Sequence, residues 1–342
     1  MNDGDKASIE LAKKCLGNLS KLLEDTKSTE DPSPTKPRKY TNNCDKLEVE
    51  SPFYISSLKE VNPQLASILF IHGGPGNNSE LFELVASNID CYLKARFNLF
   101  FYDQRCCGRS TDFDLATSSH QKNIEDISTI IKEIEAATGA KLDAIMGHSY
   151  GARLAYNFSS QNNETSVKPI LLGMAPDFKI PRTRSFLMDI LNIKINQIDE
   201  FESVKNHIAE FPKPYWEHAS ETREFVKDKS LRESFYWAMP RSKNMIDEFK
   251  ASLTLPYSNN TTFEHQRKDL YADHSNFTGP DSSRIRTDYL WINGLYDFMM
   301  AGETLDIFKN GITTYKHSGH YPHLEEPMQL VKDIESFLGV KA

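Results

Sequence analysis

The sequence predicts an α/β protein: a mostly parallel central sheet flanked by helices, with a mainly helical cap inserted into it. Three observations carry this. From about residue 45, short apolar runs ending in turn residues alternate with helical patterns, the mark of a parallel sheet covered on both faces. That alternation lapses between about 177 and 286, in a polar, aromatic-rich and helical stretch, and then resumes. A length of 342 residues exceeds one ordinary domain but suits one large domain with an insertion.

In chain order, residues 7–25 carry an amphipathic helical pattern, with Ile9, Leu11, Leu16, Leu19, Leu22 and Leu23 on one side. The prolines of Asp31-Pro32-Ser33-Pro34-Thr35-Lys36-Pro37 exclude helix and favour an extended linker. Residues 1–44 are thus an N-terminal helix and Pro-rich linker. Leu47–Glu50 and Phe53–Leu58 are expected to open the sheet as an antiparallel pair. Ser67–Ile71, Phe97–Tyr102, Leu142–Met146, Pro169–Met174, Tyr289–Asn293 and Ile312–Lys316 follow as buried strands. Helices are expected at Ile124–Ala137, Ala152–Ser159 and Leu324–Leu338. The core is therefore residues 45–176 and 286–342, and the cap residues 177–285.

Hydrophobic residues make up 39% and charged residues 26%, enough for a sizeable core. Forty basic against forty-eight acidic side chains give a net charge of −8, which argues against a nucleic-acid partner, since that needs a basic stripe. Five cysteines without CxxC or regular spacing make neither a disulfide framework nor a metal site, and point to reduced thiols. No apolar run reaches the roughly 18 residues of a membrane span. The first residues lack the apolar core of a secretory signal. A cytoplasmic location without membrane contact is the expectation, and the oligomeric state is left open.

Gly147-His148-Ser149-Tyr150-Gly151 joins a strand to a helix, the setting that a G-x-S-x-G nucleophile elbow requires. Its glycines let strand and helix backbones nearly touch, which lifts the Ser149 hydroxyl above the sheet. His72-Gly73-Gly74-Pro75-Gly76 ends the strand Ser67–Ile71. A backbone N–H near Gly74 is expected to pair with that of Tyr150 as an oxyanion hole, each donor typically contributing about 2.7–4 kcal/mol. Pro75 has no N–H, and a cis Gly74-Pro75 bond would aim the donor.

A serine nucleophile needs a base, and the base an orienting carboxylate. After the cap, Trp291-Ile292-Asn293-Gly294-Leu295-Tyr296-Asp297 runs from strand to acid, and Ser318-Gly319-His320 follows the next strand. Both lie at carboxyl ends of strands, on the serine's side. The competitors fit less well: His317 is too close to the strand end, His323 would open the last helix, and Asp306 belongs to a helical stretch. The order Ser149, Asp297, His320 is that of the α/β-hydrolase fold.

His72-Gly73-Gly74-Pro75-Gly76, then Tyr102-Asp103-Gln104-Arg105 and Gly108-Arg109-Ser110, followed by the elbow, resembles the prolyl aminopeptidase (proline iminopeptidase) family of α/β-hydrolase serine peptidases. The resemblance covers roughly residues 45–176 and 286–340. It implies Ser149 as nucleophile, Asp297 and His320 as its partners, and the N–H groups of Gly74 and Tyr150 as oxyanion hole. It also implies removal of an N-terminal residue, often proline, without a metal or organic cofactor. Two departures stand out. Cys106-Cys107 follows Asp103-Gln104-Arg105 where the family usually has glycine first; these cysteines are either small buried hydrophobes or thiols that make the protein sensitive to thiol reagents. Tyr150 stands where tryptophan is common.

Members of that family resemble one another in using cap glutamates to hold the substrate ammonium, a charge-assisted contact. The nearest clusters here are Tyr215-Trp216-Glu217 and Glu233-Ser234-Phe235-Tyr236-Trp237. They make Glu217, Glu233 and Trp237 candidate substrate-binding residues, with solvated helix charges and core packing as the plainer alternatives. Three functions remain. The leading one is an aminopeptidase that removes N-terminal proline or another small apolar residue through an acyl-enzyme. A carboxylesterase or small-amide hydrolase would use the same triad. A ligand receptor with a slow hydrolase site is the third. The expected partner is a short peptide or a small amide or ester.

Overall fold

The computed structural model describes residues 39–89, 93–162, 165–175, 179–211, 213, 217–227, 234–272, 288–298 and 311–340. The expected N-terminal helix and the proline linker lie outside them, as do Asp306, Tyr215, Trp216, Glu233 and both expected cap boundaries.

The chain from Lys39 onward forms one compact unit around an eight-stranded sheet in the order β1-β2-β4-β3-β5-β6-β7-β8. The strands are β1 (Asp45–Lys46), β2 (Ile55–Ser57), β3 (Ser67–Ile71), β4 (Asn98–Tyr102), β5 (Ala144–His148), β6 (Lys168–Leu172), β7 (Leu290–Gly294) and β8 (Ile312–Tyr315). The β1–β2 and β2–β4 pairs are antiparallel, and the other pairs are parallel. Between the strands run α1 (Glu80–Asn88), α2 (His120–Thr138) and α3 (Tyr150–Gln161). After β6 come α4 (Lys179–Asn196), α5 (Ile198–Glu210), α6 (Ala219–Glu224), α7 (Pro240–Lys250) and α8 (Asn260–Ala272). After β8 follow α9 (Pro322–Glu325) and α10 (Pro327–Leu338).

Side chains two apart on a strand share a face, and both faces of this sheet are apolar. Leu69, Ile71, Phe100, Tyr102 and Ile145 enter the core on one face, against α2 and α3. Ile68, Phe70, Leu99, Phe101, Ala144 and Met146 enter the other, against α1 and α10. That is why the central strands are continuous apolar runs rather than alternating ones. Helix α2 begins at Ser119, whose side chain accepts from Lys122 N at 3.1 Å, an N-cap that satisfies an otherwise unpaired donor.

Two expected elements differ. Leu47–Glu50 is not a strand: β1 is Asp45–Lys46, and pairing ends after Leu47 N–H donates to Ile55 O, just before Pro52 and its turn. The expected last helix Leu324–Leu338 is two helices, because Pro327 lacks an N–H and starts a new helix at its first position. His323 therefore belongs to the short α9 rather than opening the last helix.

Candidate active site

The candidate nucleophile sits in a backbone that few residues adopt. Ser149 has φ 55° and ψ −115°, outside the ordinary basins for a residue with a β-carbon. The turn survives because its neighbours are glycine. A β-carbon on Gly147 would stand 2.2 Å from Gly151 O, and one on Gly151 2.1 Å from Ile71 O. Ser149 N–H donates to Leu172 O at 2.8 Å, and Ser149 O accepts from Ala152 N. Tyr150 opens α3, so its N–H is among those without an intrahelical partner, at the positive end of the helix dipole.

The Tyr150 ring points away from this surface into the core. Its hydroxyl accepts from Asn123 Nδ2 at 3.0 Å and lies 3.2 Å from His120 Nδ1, and burial raises its pKa. Replacing tryptophan by tyrosine therefore concerns packing between α2 and α3.

The loop after β3 lies beside the elbow. A β-carbon on Gly73 would meet Ser149 Cβ at 3.2 Å, and one on Gly74, at φ 120°, would meet Asn77 N and Gly76 N at 2.9 Å. The Gly74-Pro75 bond is cis. The Asp-Gln-Arg segment buttresses this loop. Gln104 N donates to His72 Nε2 at 3.0 Å, and Gln104 Nε2 to His72 O at 2.8 Å. Asp103 and Glu83, both fully buried, share Arg109, at 2.7 Å each. Despite burial, which opposes it, that guanidinium holds the Asp103 carboxyl below its usual range. Arg105 is clamped by Asp126 through its Nε at 2.7 Å.

Cys106 occupies a left-handed position, φ 60°, where glycine would be unstrained. Its thiol is half-buried and Cys107 is fully buried. Burial raises both thiol pKa values, which disfavours the thiolate that thiol reagents attack.

Asp297 and His320 meet at the ends of β7 and β8: His320 Nδ1 lies 2.8 Å from Asp297 Oδ2, and both side chains are buried. A carboxylate accepts there, so Nδ1 is the donor and Nε2 is left for another partner. Gly173, next to the carbonyl that holds Ser149 N–H, has no side chain in the way: a β-carbon there would meet His320 Nδ1 at 3.2 Å. The serine elbow, the His72–Gly76 loop and the Asp297–His320 pair thus converge at one end of the sheet. His317 is exposed, its N–H donating to Glu326. His323 is fully buried with no hydrogen-bond partner among the described residues.

Contacts not anticipated from sequence set the histidine loop. His148 Nε2 donates to His320 O at 2.9 Å. Burial lowers the His148 pKa well below the usual imidazole range, keeping it a neutral donor. Glu325 accepts from Gly319 N at 2.6 Å on one oxygen, and from Ala238 N at 3.0 Å and Met239 N at 3.3 Å on the other. It ties the histidine loop to the segment ahead of α7. Tyr236 O accepts from His320 N at 2.7 Å. On the opposite side, Asn259 N donates to Gly76 O at 2.8 Å, and the Tyr257 hydroxyl bonds to Asn77 and Tyr321. The residues inserted after β6 therefore grip both the glycine loop and the histidine loop. Isolated glutamates and tyrosines in a helical region carry no sequence signal of such contacts.

Of the cap candidates, Trp237 is half-buried and stacked on Tyr321, with centroids 4.4 Å apart and planes at 8°. Glu217 is half-buried in the turn before α6, near enough to Arg182 to act on its charge. Glu233 lies outside the described residues.

Comparison with known proteins agrees with this architecture. No curated protein matches the chain. Among solved structures it is similar to a proline iminopeptidase-related protein from Thermus thermophilus, at 18% identity and TM-score 0.61, covering 86% of this chain and 96% of that one. It is also similar to a putative aryl esterase from Burkholderia cenocepacia, at 15% identity and TM-score 0.54, covering 86% and 98%. An esterase from Exiguobacterium antarcticum aligns at 16% identity and TM-score 0.52, covering 84% and 95%. At such identities the likeness concerns the fold. No described helix is long and apolar enough to cross a membrane. The model of the alpha/beta hydrolase family matches residues 68–334, most of the chain, and the protein belongs to that family.

Proposed function

We propose that this protein is a serine hydrolase that cleaves amide or ester bonds with Ser149, His320 and Asp297, and that its substrates are peptides with a free N-terminal residue. The observation that carries the hydrolase reading is Ser149 held at φ 55° and ψ −115° on the edge that also holds the His320–Asp297 hydrogen bond. An elbow of this kind lifts a hydroxyl toward substrate. His320 takes the Ser149 proton through Nε2 as the hydroxyl attacks the carbonyl, while Asp297 fixes the tautomer and stabilises the imidazolium. The oxyanion rests on the N–H groups of Gly74 and Tyr150. His320 then protonates the leaving amine or alcohol, and water releases the acyl group by the reverse steps.

The aminopeptidase reading is supported by the His72–Gly76 and Asp103–Ser110 motifs, whose side chains are committed to holding the loop beside Ser149. It assigns Glu217, Glu233 and Trp237 to the substrate's ammonium and first side chain. A plain esterase or small-amide hydrolase would use the same three residues, and two esterases are among the solved structures that share this fold.

The test is kcat/KM on a prolyl chromogenic amide, its N-acetylated twin and a short-chain ester. Ser149→Ala is expected to fold and to lose about 10⁴–10⁶-fold in kcat; retained turnover in that variant would remove Ser149 as nucleophile. A strong preference for the free amine supports the aminopeptidase. Turnover of the ester alone transfers the assignment to esterase, and saturable binding without turnover to a receptor.

A further inference from the structure

A second cluster of reactive side chains lies in the cap, among residues that the hydrolytic mechanism does not use. His207 stands in the last turn of α5, His218 directly before α6, and Glu221 in the first turn of α6. One Glu221 oxygen, Oε2, is 3.2 Å from His218 Nδ1 and 3.6 Å from His207 Nε2. One ligand atom from each of the three residues lies within 4.8 Å of the others. The second Glu221 oxygen is held by Lys213 Nζ at 3.1 Å, which leaves Oε2 turned to the two rings. His207 Nε2 is buried and has no hydrogen-bond partner among the described residues. The His218 side chain is fully buried.

We infer that His207, His218 and Glu221 form a zinc site that staples the end of α5 to the start of α6. Two imidazoles and a carboxylate are a borderline donor set that suits Zn²⁺ and disfavours Mg²⁺ or Ca²⁺, which take oxygen ligands. With Zn–N and Zn–O bonds of about 2.0–2.2 Å, tetrahedral ligand atoms sit about 3.3–3.6 Å apart. Two of the three spacings are already there, and the imidazole pair closes by rotation of the partly exposed His207. A fourth position is left for water. Zinc would also give a ligand bond to the buried His207 nitrogen, which has no hydrogen bond among the described residues and only a 3.6 Å contact to Glu221 Oε2. The cross-link fixes two helices of the cap to each other, and it is independent of the hydrolase assignment.

The experiment is titration of ZnCl₂ into the full-length protein, stripped with EDTA and dialysed, by isothermal calorimetry and thermal unfolding. One saturable Zn²⁺ per chain with a raised Tm is expected, and no comparable effect of MgCl₂. His207→Ala and Glu221→Gln, both at partly exposed positions, should each weaken binding by about tenfold or more while circular dichroism stays unchanged; the double variant should show no Tm response. Absence of saturable binding overturns the proposal. So does equal affinity in the double variant, which would place the cation at other histidines or cysteines.

Discussion

At the scale of single residues, two positions carry unusual backbone for different reasons. Ser149 is strained in the turn from β5 to α3, and such strain persists only when its surroundings over-determine it. The packing of Gly147 on Gly151 and of Gly151 on Ile71 does so here. Cys106 at φ 60° has no such role: its carbonyl accepts from Thr262 Oγ1 at 2.8 Å, and that bond needs no side chain at position 106. A left-handed residue with a β-carbon costs about 1–2 kcal/mol, and glycine's greater unfolded freedom offsets roughly 0.5–1 kcal/mol of the relief. Cys106→Gly is thus expected to raise the free energy of unfolding by about 0.5–1 kcal/mol, measured in urea. The same strain explains why the related motif carries glycine there. Alkylation at Cys106 and Cys107 in the native protein should leave turnover intact, because Cys107 is fully buried and burial raises the pKa of the Cys106 thiol; loss of turnover would return Cys106 to the functional list.

At the scale of elements, the short α9 matters more than its length suggests. Pro327 ends it after one turn, and the two acids before the proline turn back to the histidine loop. Glu326 accepts from His317 N and the Ser318 hydroxyl, and Glu325 accepts from Gly319 N and from the cap. On the proposed mechanism Glu325 would be a positioning residue, since it accepts from Gly319 N and so fixes the backbone beside His320. Glu325→Gln puts an amide donor against an N–H and breaks one side of the tie. Because small misplacements of a reacting group cost up to about 100-fold, it should lower kcat roughly tenfold, with a stability loss of only about 1–3 kcal/mol. Kinetics and thermal unfolding of the same preparation check this; unchanged kcat would make the tie purely structural.

At the scale of the whole molecule, buried neutral histidines set the acid limit of stability. Burial lowers His148 well below the imidazole range and takes His323 to about 3. His323 packs on Phe70, Phe82, His148 and Tyr321, and the charge of His320 lowers it further. An unfolded histidine titrates near 6.5. Below that pH the unfolded chain takes up protons that the native chain refuses, so stability falls as pH falls, down to the folded value. From pH 7 to pH 5 each such histidine removes about 2 kcal/mol. Denaturant unfolding at the two pH values should therefore differ by about 2 kcal/mol less in His323→Leu than in the parent chain. An identical difference would mean that His323 is protonated in the fold.

Much of this protein was determined by local pattern. The apolar runs Ser67–Ile71 and Phe97–Tyr102 specify strands buried on both faces, because a residue period of two leaves no polar side. Gly147 and Gly151 specify the elbow, since only glycine fits where two backbones approach within contact. That Asp297 and His320 lie in the loops ending β7 and β8 was legible from the strand pattern, and the structure pairs them at 2.8 Å. What tertiary structure decided lies between segments distant in the chain. The Asp103–Ser110 motif could be matched as a pattern, yet its work emerges only when Arg109 meets Glu83 from α1 and Gln104 meets His72 from the end of β3. Glu325, Tyr257 and the His207–His218–Glu221 group had no signal of their own. Isolated polar residues in helical sequence look like solvated surface until another segment removes the water and leaves them a single partner.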